Sequence, residues 1–285
     1  MQLALGTAQF GLDYGIAGGR RVEAEEARAI LHAAAEQGVR VLDTAPAYGT
    51  IEENLAALCD GLDFAVISKI PALPDVSPEE AADLALQSAR RSRKRLGPAL
   101  HGLLFHNAED LKDGRGQHIW HKVSAWAREE GIRLGVSCYD PETAMALHEA
   151  FGIALAQIPG SAFDQRIKAV MPAAPAQCEV HMRSAFLQGL LLMPREAAQR
   201  KLPQASPLLD RWRQWCAARG TSPMMAALGI VKGFAAVSQV VVGVDGLVQF
   251  QGIAKAWRTA VALTDADELS VAAAAVIDPR QWRAA

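Results

Sequence analysis

The chain has 285 residues, 51% of them hydrophobic, and a formal net charge of −2. That length and composition can bury a large core in one domain, and the near-neutral charge provides no basic field for nucleic acid or anionic lipid. Cys59, Cys138, Cys178 and Cys216 stand far apart, without C-x-x-C spacing or a histidine cluster. They therefore suggest neither a zinc site nor a disulfide framework, and read as reduced thiols in a cytoplasmic protein. No signal-peptide pattern opens the chain. Its longest mostly apolar segment, 224–244, is broken by Lys232 and several glycines, as a buried helix and strand would be and a membrane span would not.

In chain order, short β-type runs alternate with helical patterns. Strands are predicted at 3–5, 40–42, 64–68, 102–105, 133–136, 154–158, 179–182 and 240–242. Helices are predicted at 23–37, 50–60, 78–96, 118–130, 141–151, 164–170, 206–219 with 222–235, and 246–262. The apolar strands require burial on both faces, which is the mark of a parallel sheet under helices. Eight such units close naturally into a (β/α)8 barrel, one domain over 1–285. A doubly wound open sheet would need a G-x-G-x-x-G turn after its first strand, and Gly18-Gly19, the nearest approach, lacks that spacing. Thr50 and Glu53 are spaced as a capping box, while Ser77-Pro78 and Asp140-Pro141 each place a capping side chain before a proline suited to the first helical turn. The basic run 90–95 reads as cations favoured by a helix C-terminus rather than as an anion-binding patch.

Ionisable residues concentrate where three of these strands end. Asp43 and Tyr48 lie on the turn after the second strand, Lys69 ends the third and His106 follows the fourth. The C-terminal ends of barrel strands are where such enzymes keep their chemistry. A free phenol has a pKa of about 10, so Tyr48 as a general acid is expected to gain from a nearby ammonium; a lowering of roughly 2 units corresponds to about 3 kcal/mol. Lys69 is the candidate ammonium, with Asp43 holding it charged and in place. His106 would complete the set by hydrogen-bonding a substrate carbonyl.

The stretch from Asp43 to Glu52 resembles the aldo-keto reductase pattern D-x-A-x-x-Y-G-x-x-E, with Lys69 and His106 where that family has its lysine and histidine. The similarity continues through Leu5-Gly6-Thr7 with Phe10-Gly11, Gly135-Val136-Ser137, Gln157, and the loop Arg183-Ser184-Ala185-Phe186-Leu187-Gln188-Gly189-Leu190-Leu191, which resembles S-P-L-x-x-G-L-L. It implies a barrel that binds NADP(H) or NAD(H), without metal, across its C-terminal face, and that reduces a small-molecule aldehyde or ketone with Tyr48 as proton donor. By resemblance, Ser137 and Gln157 hold the carboxamide, and Ser184, Phe186, Leu187 and Gly189 cradle the pyrophosphate. Gly6, Thr7, Arg183, Gly243, Asp245 and Gln249 complete the cofactor set.

Four departures from the pattern matter. Asp245 stands where a basic residue usually grips the 2′-phosphate of NADPH; a carboxylate there repels phosphate and suits the free ribose hydroxyls of NADH, unless it faces solvent. Gly252 and Ile253 replace residues that contact adenine in many relatives. Arg183 replaces an aromatic ring, which leaves it to stack on the nicotinamide, to bind an anionic substrate group or to pair with an acidic neighbour. Cys138 takes the place of an asparagine. Phe10, Tyr14 and Asn107 are candidate pocket residues, 107–117 is a candidate flexible loop, and the short tail after Asp278 suits an open site for small or sugar-like carbonyls. A competing reading keeps the barrel and the nicotinamide site but turns over little, acting as an NAD(P)(H)-sensing protein with a protein partner.

Overall fold

Successive side chains of a strand point to opposite faces, and this alternation sorts the residues of the sheet into an inner and an outer set. The computed structural model describes residues 1–16 and 19–282, so Gly18 and the last three residues lie outside it. Eight strands, β1 (Gln2–Gly6), β2 (Val41–Asp43), β3 (Ala65–Ile70), β4 (Leu100–Phe105), β5 (Arg133–Ser137), β6 (Leu155–Pro159), β7 (Glu179–Arg183) and β8 (Gln239–Val242), pair in parallel and in sequence. β1 closes the ring by pairing with both β2 and β8. All eight predicted strands are present, within about two residues at each end.

On β3, Val66 and Ile70 join the large apolar layer beneath the helices, whereas Ile67 packs with Leu104 and Leu155 in a separate cluster inside the barrel, backed by Val41. That inner layer is tight. A Cβ on Gly102 would come within 2.5 Å of Leu155 Cδ1, and one on Gly135 within 1.8 Å of the Leu155 carbonyl oxygen. One step further along the same faces, two residues on, the inner positions become Asp43, Lys69, His106, Ser137 and Gln157. A polar layer thus caps an apolar plug at the C-terminal mouth.

The predicted helices are also found. Ser77 accepts from the Glu80 amide and Asp140 from the Thr143 amide, as their sequence contexts suggest. The Thr50 capping box does not form, because the Thr50 hydroxyl receives the Asn54 amide and Arg95 takes Glu53 at 2.6 Å. The run 90–95 ends helix Pro78–Leu96, where Arg93 reaches Glu130 and Arg95 reaches Glu52 and Glu53, in line with cations at a helix end. The short helices Ala8–Gly11, Arg195–Lys201 and Ala274–Ile277 were not anticipated, since four to seven residues carry too little periodicity to read. The 107–117 segment is tied down: Asp110 is buried and accepts from Leu73 N and Asn107, and Arg115 donates to Asp113 and to the Pro74 carbonyl.

Candidate active site

At the centre of the mouth, Lys69 is 1% exposed and lies 2.7 Å from both oxygens of Asp43, itself 5% exposed. A third bond runs from Lys69 to the Thr44 carbonyl oxygen at 2.8 Å. Asp43 also accepts from Gln157 Nε2 at 2.6 Å, and Gln157 Oε1 accepts from Ser137 at 3.3 Å, so β2, β3, β5 and β6 are joined through one buried carboxylate. Behind the cluster, Glu52 is 1% exposed and accepts from Ser68, the neighbour of Lys69, and from Arg95. This fixes β3 in rotation and directs Lys69 inward.

The Tyr48 ring meets His106 edge-on at 6.4 Å and has the Lys69 ammonium 5.5 Å from its centroid. The four residues singled out in the sequence thus converge. The expected lowering of the phenol by Lys69 is not found. Burial and the Asp43 carboxylate hold the Tyr48 phenol above its ordinary value, and the cation acting against them is Arg183. The reason is local: the charge of Lys69 is spent on Asp43. Burial likewise holds Lys69 below the usual range, with Asp43 opposing.

Burial, aided by Lys69 and Arg183 against the pull of Asp43, holds the His106 imidazole down at about 4, so it is neutral at pH 7 with one N–H to donate. Between its unfolded value near 6.5 and about 4 the unfolded chain binds more protons, and stability falls as pH drops through that window. The loss of Tm from pH 6.5 to 4 is therefore expected to be smaller in His106→Gln than in the unmodified chain, as thermal melts at both pH values would show.

From Tyr48 a groove runs across the mouth, lined by Gly6, Asp43, Gln157, Arg183, Ser184, Phe186, Gly189, Gly243, Asp245 and Gln249 among the residues named from the sequence. Ser137, Thr7 and Leu187 lie behind its wall: Ser137 orients Gln157, Thr7 donates to the Asp43 carbonyl at 3.0 Å, and Leu187 is core. Tyr14 is on the wall. Phe10 instead packs into the core, and Asn107 turns back to Asp110. The turn after β7 holds Ser184 (φ 70°), Leu187 (φ 47°), Gln188 (φ 53°) and Gly189 (φ 91°) in the left-handed region, a conformation that is strained for the three non-glycine residues.

The sequence model of the aldo/keto reductase family matches residues 2–273. The chain belongs to this family. No match is found among curated proteins. Among solved structures, the chain is similar to a holo-form aldo-keto reductase from Bacillus halodurans (18% identity, 98% of this chain and 94% of that one, TM-score 0.74). It is also similar to a glycerol dehydrogenase from Gluconobacter oxydans (20%, 97% and 92%, TM-score 0.70) and to a Pseudomonas aeruginosa protein assigned to the aldo-keto reductases (22%, 90% and 90%, TM-score 0.64).

As an aldo/keto reductase the protein is an oxidoreductase, and its departures from the family pattern can be placed in space. Asp245 does not face open solvent. It is half-buried on the groove wall, and burial raises its carboxyl against hydrogen bonds from the Gln249 and Gln9 side chains. Nearby, Glu26 Oε1 accepts from Leu247 N at the start of helix Leu247–Thr259, which puts a second carboxylate at this end of the groove, paired with Arg20. Ile253 is buried and forms part of the wall. Gln9, Glu26 and Tyr139 are site neighbours that the sequence leaves unmarked, because long-range packing brings them there and no local spacing points to them. No group of three or more potential metal ligands exists among the described residues, and no described helix is long and apolar enough to cross a membrane.

Proposed function

We propose that this aldo/keto reductase family member is an NAD(P)(H)-dependent carbonyl reductase with Tyr48 as proton donor, and that it favours NADH. The observation that carries the reading is the polar layer of Asp43, Tyr48, Lys69 and His106 opening directly into a groove shaped by the loops after β1, β7 and β8. The groove's features suit a dinucleotide: a left-handed turn after β7, four wall glycines, Gly6, Gly15, Gly189 and Gly243, and a half-buried carboxylate, Asp245, at the far end. Gln157, oriented by Ser137, would hold the carboxamide, the Ser184–Gly189 turn the pyrophosphate, and Asp245 with Gln249 the adenosine ribose. Bound there, the nicotinamide would supply the hydride to the carbonyl carbon.

The chain's own groups then do the rest. The Tyr48 O–H and the neutral His106 N–H both donate to the substrate oxygen, which fixes its orientation and stabilises the negative charge that grows on it. Tyr48 passes its proton to that oxygen. The Asp43–Lys69 pair sets a fixed field beside the phenol, and Phe186 and Leu192 make part of the groove wall apolar, which limits water at the reacting atoms.

Fluorescence titration with NADH and NADPH side by side tests the cofactor part. NADH is expected to bind at least about tenfold more tightly, since a 2′-phosphate would meet two carboxylates in place of a cation. Asp245→Asn is expected to narrow the gap. Equal or inverted affinities would mean that Arg20 leaves Glu26 to serve the phosphate. The catalytic part is tested by consumption of NADH with a panel of aldehydes and ketones. Tight binding without turnover across that panel would instead favour a cofactor sensor with a protein partner.

A further inference from the structure

Arg183 ends β7 on its inner face and lines the groove beside Asp43, Tyr48 and Gln157. Its guanidinium has five N–H donors. Among the described residues it makes one hydrogen bond, from Nη2 to the Cys138 carbonyl oxygen at 3.2 Å, and one face stacks 4.3 Å from the centre of the Tyr139 ring. No described carboxylate pairs with it. The acids at this end are already engaged: Asp43 by Lys69 at 2.7 Å, and Asp278 by Arg280 at 2.7 Å, with Arg280 stacked 3.5 Å from the centre of the same Tyr139 ring. Asp140, whose charge also reaches Arg280, caps its own helix by accepting from the Thr143 amide, so Arg183 is left without an ion-pair partner among the described residues.

Its position along the groove matters. The positive charge of Arg183 is felt at Tyr14, Tyr48, Lys69 and His106, all at the carbonyl end, whereas the Asp245 carboxyl at the other end is governed by burial, Gln249 and Gln9. With Tyr139 covering one face of the guanidinium, its unused N–H fork is left for a planar anion. We propose that Arg183 binds a carboxylate carried by the substrate, so that the substrate class is an aldehyde or ketone that is also an acid. This rests on the reductase reading above. A guanidinium fork meets a carboxylate with two parallel charge-assisted hydrogen bonds, which fixes the acid end of the molecule while Tyr48 and His106 fix the carbonyl end.

The test compares 4-oxobutanoate with its methyl ester, which share a chain length and differ in charge, with NADH as reductant. The unmodified protein is expected to favour the acid by about 10- to 100-fold in kcat/KM, the range of a hydrogen-bonded charge. In Arg183→Met that ratio is expected to fall to near one, and Arg183→Lys, which keeps the charge without the fork, is expected to lie between. Fluorescence titration with NADH checks that each variant keeps a formed groove. Equal kcat/KM for acid and ester in the unmodified protein overturns the proposal and leaves the reductase intact. An acid preference that persists in Arg183→Met, or a variant whose only change is weaker NADH binding, assigns the arginine to the cofactor and overturns the proposal as well. Reduction of neither compound, nor of any carbonyl in the panel, overturns the reductase reading and this one together.

Discussion

Tyr48→Phe is expected to lower kcat for carbonyl reduction by about 10²- to 10⁴-fold, the usual worth of a placed general acid, with NADH affinity changed by less than about twofold. The substitution removes one oxygen and keeps the ring, so the edge contact with His106 and the position over Lys69 survive. Burial and Asp43 keep the phenol protonated well above neutral pH, so the acid form is present throughout the physiological range. Reduction is accordingly expected to vary little between pH 6 and 8, windows set by the phenol's ordinary value near 10 and its upward shift. Alcohol oxidation needs the conjugate base and should accelerate as pH rises. Single-turnover measurements in both directions, with binding followed by fluorescence, would separate these effects. Unchanged turnover in the phenylalanine variant would remove Tyr48 from the proton transfer and leave His106 as the remaining donor.

The fold was readable because each barrel strand carries its signal locally. Val66 on one face of β3 and Ile67 on the other belong to the continuous apolar run from Phe64 to Ile67, which a half-exposed strand would not show. The site was readable for a related reason: the polar layer sits two residues beyond the inner apolar layer on the same strands, Ile67 to Lys69 and Leu104 to His106, so the end of an apolar run marks the chemistry. The energetic relations between those residues were less accessible. The pairing of Lys69 with Asp43 is expected from the sequence, but nothing in the spacing of Asp43, Tyr48 and Lys69 indicates that this pairing leaves the phenol raised, or that Arg183, over a hundred positions later, is the cation acting on it. Likewise, Thr50 and Glu53 have capping-box spacing, but Arg95 from the next helix draws Glu53 away. Such outcomes are decided by partners that only the closed barrel brings together.

The second large effect is expected from the buried ion pair. Lys69→Met leaves Asp43 with only the Gln157 amide for a charge that is almost fully buried, and breaking such a pair from one side costs about 3–5 kcal/mol. For a chain of this size the loss in Tm should be on the order of 10 °C. Activity should fall about 10²-fold or more, because Asp43 no longer has a counter-charge and the field beside Tyr48 becomes negative, raising further a phenol that is already raised. Stability and chemistry can be separated by adding Asp43→Asn to the lysine variant. The double substitution removes the stranded charge, so it should recover much of the lost Tm, a coupling of about 1–3 kcal/mol between residues in direct contact. It should not recover kcat, because neither the ammonium nor its anchor is present. Additive losses of stability would mean that the two charges are not coupled in the folded protein. Recovered turnover would make the pair a scaffold alone and place the proton chemistry entirely on Tyr48 and His106.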